Sequence, residues 1–265
     1  MPPNRPYEEP TLIPAAINQS LLKLQQSSLM NKPRQQSFSL YSLVAREPSL
    51  WMFYQPYLWW SKFKRQTKGL NPEECQVTAE TELVIDGFQG SANSFATEAF
   101  QLCQTQPVRL AHHLHSPVQV MKAVKHQVPV WLTIREPADT VISLTSRWPH
   151  LSVCQGLKGY IGFYEKLLPY APSCVVSTFE QTTQQLDQLV SILNQRFDRH
   201  FDIINVETVN QTIKPRTHNA AELERRKPFK KAKKQELGQP QNIRLLADAD
   251  AIYSEYIKLL LGSEC

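Results

Sequence analysis

A chain of 265 residues with 42% hydrophobic content can hold one large domain or two small ones, and it is read here as one globular domain with a loose front end. Its 29 Lys and Arg against 24 Asp and Glu give a net charge of +5, which suits an anionic ligand and is too small to argue for nucleic acid. Five cysteines (Cys75, Cys103, Cys154, Cys174, Cys265) are odd in number and lack CxxC spacing, so they indicate neither a zinc site nor a disulfide framework and fit a reducing compartment.

Residues 1–36 are rich in Pro, Gln, Ser and Asn with little periodicity, too poor in apolar surface to offset chain entropy, and a disordered segment is expected. Residues 37–80 are expected to be a helical, aromatic-rich covering segment, with a short turn starting at Asn71-Pro72-Glu73-Glu74. Its apolar cluster, Leu50 to Trp60, is broken by Gln55 and Pro56 and falls short of the roughly 20 residues that span a bilayer. The first residues show no secretory pattern, so a soluble, cytoplasmic protein is expected. Trp51, Phe53, Tyr54, Tyr57, Trp59 and Trp60, followed by Lys62, Lys64, Arg65 and Lys68, have two readings. The aromatics pack on the domain, or residues 50–68 make a peripheral membrane contact.

The α/β domain is expected over residues 81–265. The stretch from Leu83 to Phe95 reads as a buried strand that breaks into a tight loop of Gly, Ser, Ala and Asn and opens a helix carrying Phe95, Ala99, Phe100 and Leu102. Such a turn aims successive backbone N–H groups at one point, an anion cradle. Val108 to Ala111 reads as a second strand running into His112-His113-Leu114-His115, and Ser116-Pro117 as the N-cap and first position of a helix. Pro129 to Ile134 is a continuous apolar run, the mark of a strand buried on both faces, followed by Arg135-Glu136-Pro137 and a helix capped by Asp139. A helical stretch from Leu157 to Tyr170, a strand from Cys174 to Thr178, an amphipathic helix from Leu186 to Phe197 and a closing helix from Ile243 to Leu261 complete the alternation. The economical topology is a parallel sheet flanked by helices, a P-loop nucleotide-binding-like three-layer sandwich. Ligands in such sheets bind beyond the C-terminal strand ends, where the 83–95 loop, the histidines, Arg135 and Phe179 gather.

The segment Gly87-x-x-x-x-Ala92-Asn93-Ser94 has the length of a nucleotide triphosphate loop, with Asn93 where the phosphate-reaching lysine would stand. That removes the main cation of kinase chemistry and leaves a neutral cradle plus the Ser94 hydroxyl. Arg135 and Ser143, eight positions apart, can present a guanidinium fork and a hydroxyl to one phosphate; the structural alternative for Arg135 is an ion pair with Asp139. The basic run Arg225 to Lys234 reads as a solvated face, with a phosphate clamp as the functional alternative.

These residues resemble the sulfotransferases that use 3′-phosphoadenosine-5′-phosphosulfate. Gly87-Phe88-Gln89-Gly90-Ser91-Ala92-Asn93-Ser94-Phe95 is similar to the family's G-F-P-[RK]-S-G-T-[ST]-[WFL] loop, and Arg135-Glu136-Pro137-Ala138-Asp139-Thr140-Val141-Ile142-Ser143 to its R-[DN]-P-x-D-x-x-x-S signature. His112-His113-Leu114-His115 lies where the family has T-H-L-P, and Val175 to Glu180 where it has a strand ending in Y-E-D; the likeness covers roughly residues 80 to 200. The resemblance implies a phosphosulfate cradle of Gly90, Ser91, Ala92, Asn93 and Ser94, a 3′-phosphate held by Arg135 and Ser143, adenine near Phe95 and Phe179, and His113 as catalytic base. Gly90 takes the place of the family's loop cation, and the R-K-G motif is not visible.

The implied activity is sulfuryl transfer from 3′-phosphoadenosine-5′-phosphosulfate, without metal, to a hydroxyl or amine of a small-molecule, glycan or lipid acceptor, and not to nucleic acid. The alternatives are a catalytically impaired nucleotide-binding relative of the same fold and, weakened by Asn93, a P-loop kinase. The acceptor pocket would come from Arg147 to Tyr160 and the N-terminal aromatic segment.

Overall fold

Four short strands carry the architecture: β1 (Leu83–Gly87), β2 (Leu110–His112), β3 (Val130–Thr133) and β4 (Val175–Ser177). All pairings are parallel, in the spatial order β2-β1-β3-β4, with Ile85 opposite His112, Gly87 opposite Thr133, and Thr133 opposite Ser177. Every strand residue is buried, as continuous apolar runs require when helices cover both faces. The computed structural model describes residues 35–45, 47, 50–67, 69, 71–213 and 220–262; the segment 1–34, expected to be disordered, lies outside the described residues.

The helices are α1 (35–45), α2 (Trp51–Gln66), α3 (Asn93–Cys103), α4 (Pro117–Lys125), α5 (Pro137–Arg147), α6 (Val153–Leu167), α7 (Phe179–Gln184), α8 (Leu186–Phe197), α9 (Val206–Thr212), α10 (Ala220–Leu237) and α11 (Pro240–Gly262). Strand alternation divides the core in two. Leu83, Ile85, Trp131 and Val175 pack against Ala99 and Phe100 of α3 and Leu189 of α8. Val84, Ala111, Leu132 and Val176 belong to a second cluster with Val120 of α4, Leu157 and Tyr160 of α6, and Tyr256 of α11. The result is an α/β fold with helix layers on both sides of a parallel sheet.

Local chemistry explains several boundaries. Ser152 and Gln155 form a reciprocal capping box at the start of α6, and Thr178 with Gln181 does the same for α7. Pro117 and Pro137 open α4 and α5, where the missing N–H has no intrahelical partner to lose. Two expected caps differ. Ser116 is at the N-cap of α4, but its hydroxyl donates to Ala45 O at 2.6 Å and so ties α1 to the sheet edge. Asp139 lies inside the first turn of α5, whose N-cap is Glu136, and its carboxylate is drawn to Arg135 instead. The helix expected from Leu157 starts at Val153, Phe179 opens α7 instead of ending a strand, and α1 includes residues 35 and 36 of the segment expected to be disordered.

The covering segment is fastened to the C-terminal edge of the sheet. Tyr57 donates its hydroxyl to Leu114 O at 2.7 Å, and Leu58 packs with Cys75 and Leu114. Among the described residues no helix is long and apolar enough to cross a membrane. Chain order decides where a ligand fits: the connection from β1 goes outward to β2, and the next crosses back to β3. The crevice of this reversal opens between the loops that follow β1 and β3.

Candidate functional site

The turn after β1 is built from close approaches. A side chain at Gly87 would bring its Cβ to 2.4 Å from Thr133 O, so the two central strands meet there only because Gly87 has none. Gly90 has φ +99°, and a Cβ on it would stand 3.1 Å from Thr140 O. Ala92, the N-cap of α3, is left-handed at φ 74° and offers no side-chain cap. The first N–H groups of α3 thus keep no cap of their own and face the crevice, where they suit a negative charge. Asn93 staples the turn: its Nδ2 donates to Gly87 O at 2.8 Å, and its Oδ1 accepts from Thr133 Oγ1. Beneath it, the buried Tyr164 hydroxyl accepts from Phe88 N at 3.1 Å and donates to Thr133 O at 2.8 Å, holding the β1 turn and the β3 exit together.

A cavity of about 440 Å³, within the range of small-molecule sites, occupies the crevice. Gly90, Ala92, Asn93, Ser94 and Phe95 line one side, and Arg135, Ser143 and Phe179 the other. Ser91, expected in the cradle, is absent from the lining: it is buried, with its hydroxyl on Phe88 O and near Thr133 Oγ1 at 3.2 Å. Arg135 leaves β3 with its carbonyl held by the Tyr160 hydroxyl at 2.9 Å. Its guanidinium pairs with Asp139 Oδ2 at 2.9 Å and lies 4.0 Å from the Phe179 ring centroid, a stacked cation. The ion pair expected as the structural alternative for Arg135 is present, and the residue also lines the cavity.

No residue of the Arg225 to Lys234 run lines the cavity. Arg226 instead reaches α5, donating to Ser143 O at 2.6 Å and Ser146 Oγ at 2.8 Å, while Lys233 bonds Leu151 O at 2.6 Å and Glu236 at 2.8 Å. The clamp alternative is replaced by a brace that sets α5, and with it Ser143.

The histidines divide into two roles. His115 lines the cavity. Its Nδ1 is 2.9 Å from Gly87 O and 3.4 Å from the buried Asp86 carboxylate, which also accepts from the His115 backbone N–H at 3.0 Å. A proton on Nδ1 satisfies the Gly87 carbonyl and leaves Nε2 as the ring's acceptor. His113, expected as the base, is not among the lining residues. Its Nε2 meets Ser94 Oγ at 2.9 Å, and its Nδ1 meets Nδ1 of His112. His112 Nε2 is 3.1 Å from Glu74 Oε2, which also accepts from Arg65 Nη2 at 2.9 Å.

Two sets of tautomers fit this chain. With a proton on His112 Nε2 donated to Glu74, the His112 Nδ1 lone pair requires a proton on His113 Nδ1, and His113 Nε2 accepts from Ser94; with His112 Nε2 accepting instead from Arg65 Nη2 at 3.3 Å, the order reverses and His113 Nε2 donates to Ser94. In either set the Ser94 hydroxyl is held by His113 while the residue lines the cavity beside the backbone N–H groups of the loop. Burial first, then His115, His112 and Arg65, push His113 down to about 2, and burial followed by Arg65 lowers His112. Both rings are neutral near pH 7, and His113 is too weak a base to hold an abstracted proton there.

Arg147 and Trp148 also line the cavity, at the start of the Arg147 to Tyr160 segment expected to supply the acceptor pocket, and neither was assigned to the nucleotide from sequence. A signal for Arg147 existed, since it follows Ser143 by one helical turn on α5 and shares its face. His115 belongs to the cluster expected at this edge, but nothing in the sequence set it above His113. Positive φ at both His113 (61°) and His115 (53°) breaks the strand alternation that would have told the rings apart.

The fold and the cavity define a parallel α/β protein with a ligand-sized site at the topological switch point, walled by a small-residue helix-start loop, two arginines and two phenylalanines. No protein-family model, curated protein or solved structure matches the chain.

Proposed function

We propose that this protein is a sulfotransferase of the P-loop-like fold that moves a sulfuryl group from 3′-phosphoadenosine-5′-phosphosulfate to a hydroxyl or amine. The observation that carries the reading is the shared cavity: Arg135 and Ser143, from the second sequence signature, line the same cavity as the loop from the first. Arg135 and Ser143 would hold the 3′-phosphate, the first N–H groups of α3 the 5′-phosphosulfate, and Phe95 and Phe179 the base. Arg147 supplies a second cavity cation where Gly90 supplies none.

The residues divide the chemistry as follows. The acceptor proton passes to Nε2 of His115, whose Nδ1–H stays on Gly87 O and whose ring is steadied by Asp86. As the acceptor oxygen forms its bond to sulfur, the sulfur–oxygen bond to the phosphate breaks, and the charge left on that phosphate falls to the α3 N–H groups and the arginines. His115 thus takes the role expected of His113.

A second reading, a nucleotide-binding relative without turnover, is favoured by one observation: the left-handed backbone at Gly90 leaves no place for a basic side chain at the leaving group. Labelled-sulfate transfer to a panel of sugars, lipids and phenols separates the two. Transfer abolished by His115→Gln supports the enzyme. Stabilisation by 3′-phosphoadenosine-5′-phosphate with no transfer to any acceptor supports the binder, and no stabilisation at millimolar nucleotide overturns both.

A further inference from the structure

Among the described side chains of α2, Trp59, Trp60 and Phe63 face outward, and we propose that this face docks the protein on a bilayer surface rich in anionic lipid. Inward, the helix presents Tyr57, Leu58 and Arg65: the first two fasten to Leu114, and the Arg65 guanidinium is buried against Glu74 and Asn71 O. Outward, Trp59 is 67% exposed, Phe63 45% and Trp60 37%. A helix that merely covers a domain turns its apolar stripe inward, and these three rings lie outside that stripe.

The exposed rings form one patch. Trp59 and Phe63 stack at 5.9 Å between centroids, Trp60 and Phe63 at 5.8 Å. Lys64 Nζ lies 5.1 Å from the Trp60 ring and 5.8 Å from that of Tyr41, and Leu40, Tyr41 and Leu43 of α1 extend the exposed surface. Contiguous apolar surface of this kind marks an interaction site.

Composition selects the occupant. The helix has no Asp or Glu anywhere along Trp51–Gln66, and beside the exposed rings it carries Lys64 and Lys62, the latter also paired with Glu73 Oε2 at 2.7 Å. Indole rings beside cations are the chemistry of the headgroup zone, where the ring body is apolar, its N–H is hydrated and the ammonium meets lipid phosphate. The helix is too short of apolar residues to cross, so it lies on the surface. Because Tyr57 and Leu58 hold α2 to the turn that carries His113 and His115, the same element ties the membrane face to one rim of the crevice. The proposal does not depend on the sulfuryl-transfer reading.

The test uses the full chain with vesicles of phosphatidylcholine alone and of phosphatidylcholine mixed with phosphatidylglycerol, and with sedimentation equilibrium of the free protein. Cosedimentation is expected with the anionic vesicles, with a blue shift of tryptophan emission, and Trp59→Ser/Trp60→Ser/Phe63→Ser is expected to weaken it about tenfold or more. Should the triple variant misfold by circular dichroism, Trp59→Ser and Phe63→Ser alone serve, each expected to weaken binding severalfold. Failure of the wild type to bind anionic vesicles overturns the proposal. So does equal binding by folded variants, and so does a concentration-dependent dimer lost with the aromatics, which would make a second copy of the chain the occupant.

Discussion

Ser94 Oγ and His113 Nε2 stand 2.9 Å apart, and this bond ends a chain of hydrogen bonds that runs through His112 to Glu74 and Arg65. The loop serine is therefore anchored to the covering segment, while the cavity is left to His115.

That chain makes acid stability the first expectation. His112 and His113 bind fewer protons folded than unfolded, because their folded values lie below the ordinary histidine range. Stability is then fully present above about pH 6.5 and falls as pH drops through the unfolded value, by up to about 1.4 kcal/mol per pH unit for each ring. Thermal melts from pH 7.5 to 5 should show this loss, and His113→Gln should flatten it; a pH-independent melting temperature in the wild type would refute the neutral pair.

The two-role division of the histidines predicts unequal variants. His115→Gln is expected to lower kcat for sulfuryl transfer about a hundredfold or more while leaving nucleotide affinity within a few fold, as loss of a general base does. His113→Gln, by disturbing only Ser94 and His112, should cost less than about tenfold. The reverse order, measured under single turnover, would return the base to His113.

Placing a cation at Gly90, where the sulfotransferase loop it resembles carries one, should fail. Gly90→Lys places a side chain at φ +99° and a Cβ 3.1 Å from Thr140 O, so a loss of about 1–3 kcal/mol is expected with no gain in turnover. Denaturant melts with an activity assay check it. A stable, faster Gly90→Lys enzyme would show that the loop relaxes.

Tyr164 should matter for stability without touching ligand. In Tyr164→Phe the buried Phe88 N–H and Thr133 O lose their common partner, a loss of about 1–3 kcal/mol by urea denaturation. Because that hydroxyl joins the β1 turn to the β3 exit, nucleotide affinity should weaken in the same variant, a coupling that a calorimetric titration reads.

Much of the sheet was legible because buried parallel strands leave continuous apolar runs, and Leu83 to Gly87 and Pro129 to Ile134 are such runs. The grouping of the loop with Arg135 and Phe179 followed from the strand order, and that of Ser143 from its eight-residue spacing to Arg135. What stayed hidden depends on backbone sign and on long-range partners. Nothing in His112-His113-Leu114-His115 announces two left-handed residues, and so the wrong ring was expected in the cavity. Ser91 and Asn93 looked like ligand donors, yet the sheet claims their side chains through Thr133. The basic run holding Arg226 read as a solvated face, and only the packing of α10 on α5 reveals the Arg226 bond to Ser143 O.

The central claim is that the crevice recognises a nucleotide carrying a 3′-phosphate, and calorimetric titration with 3′-phosphoadenosine-5′-phosphate beside 5′-adenosine monophosphate tests it most directly. The 3′-phosphorylated nucleotide should bind at least about tenfold more tightly, and Arg135→Ala should erase the difference, as loss of a charge-assisted phosphate contact does. Equal affinity for the two nucleotides in the wild type, or no binding of either, would contradict the claim.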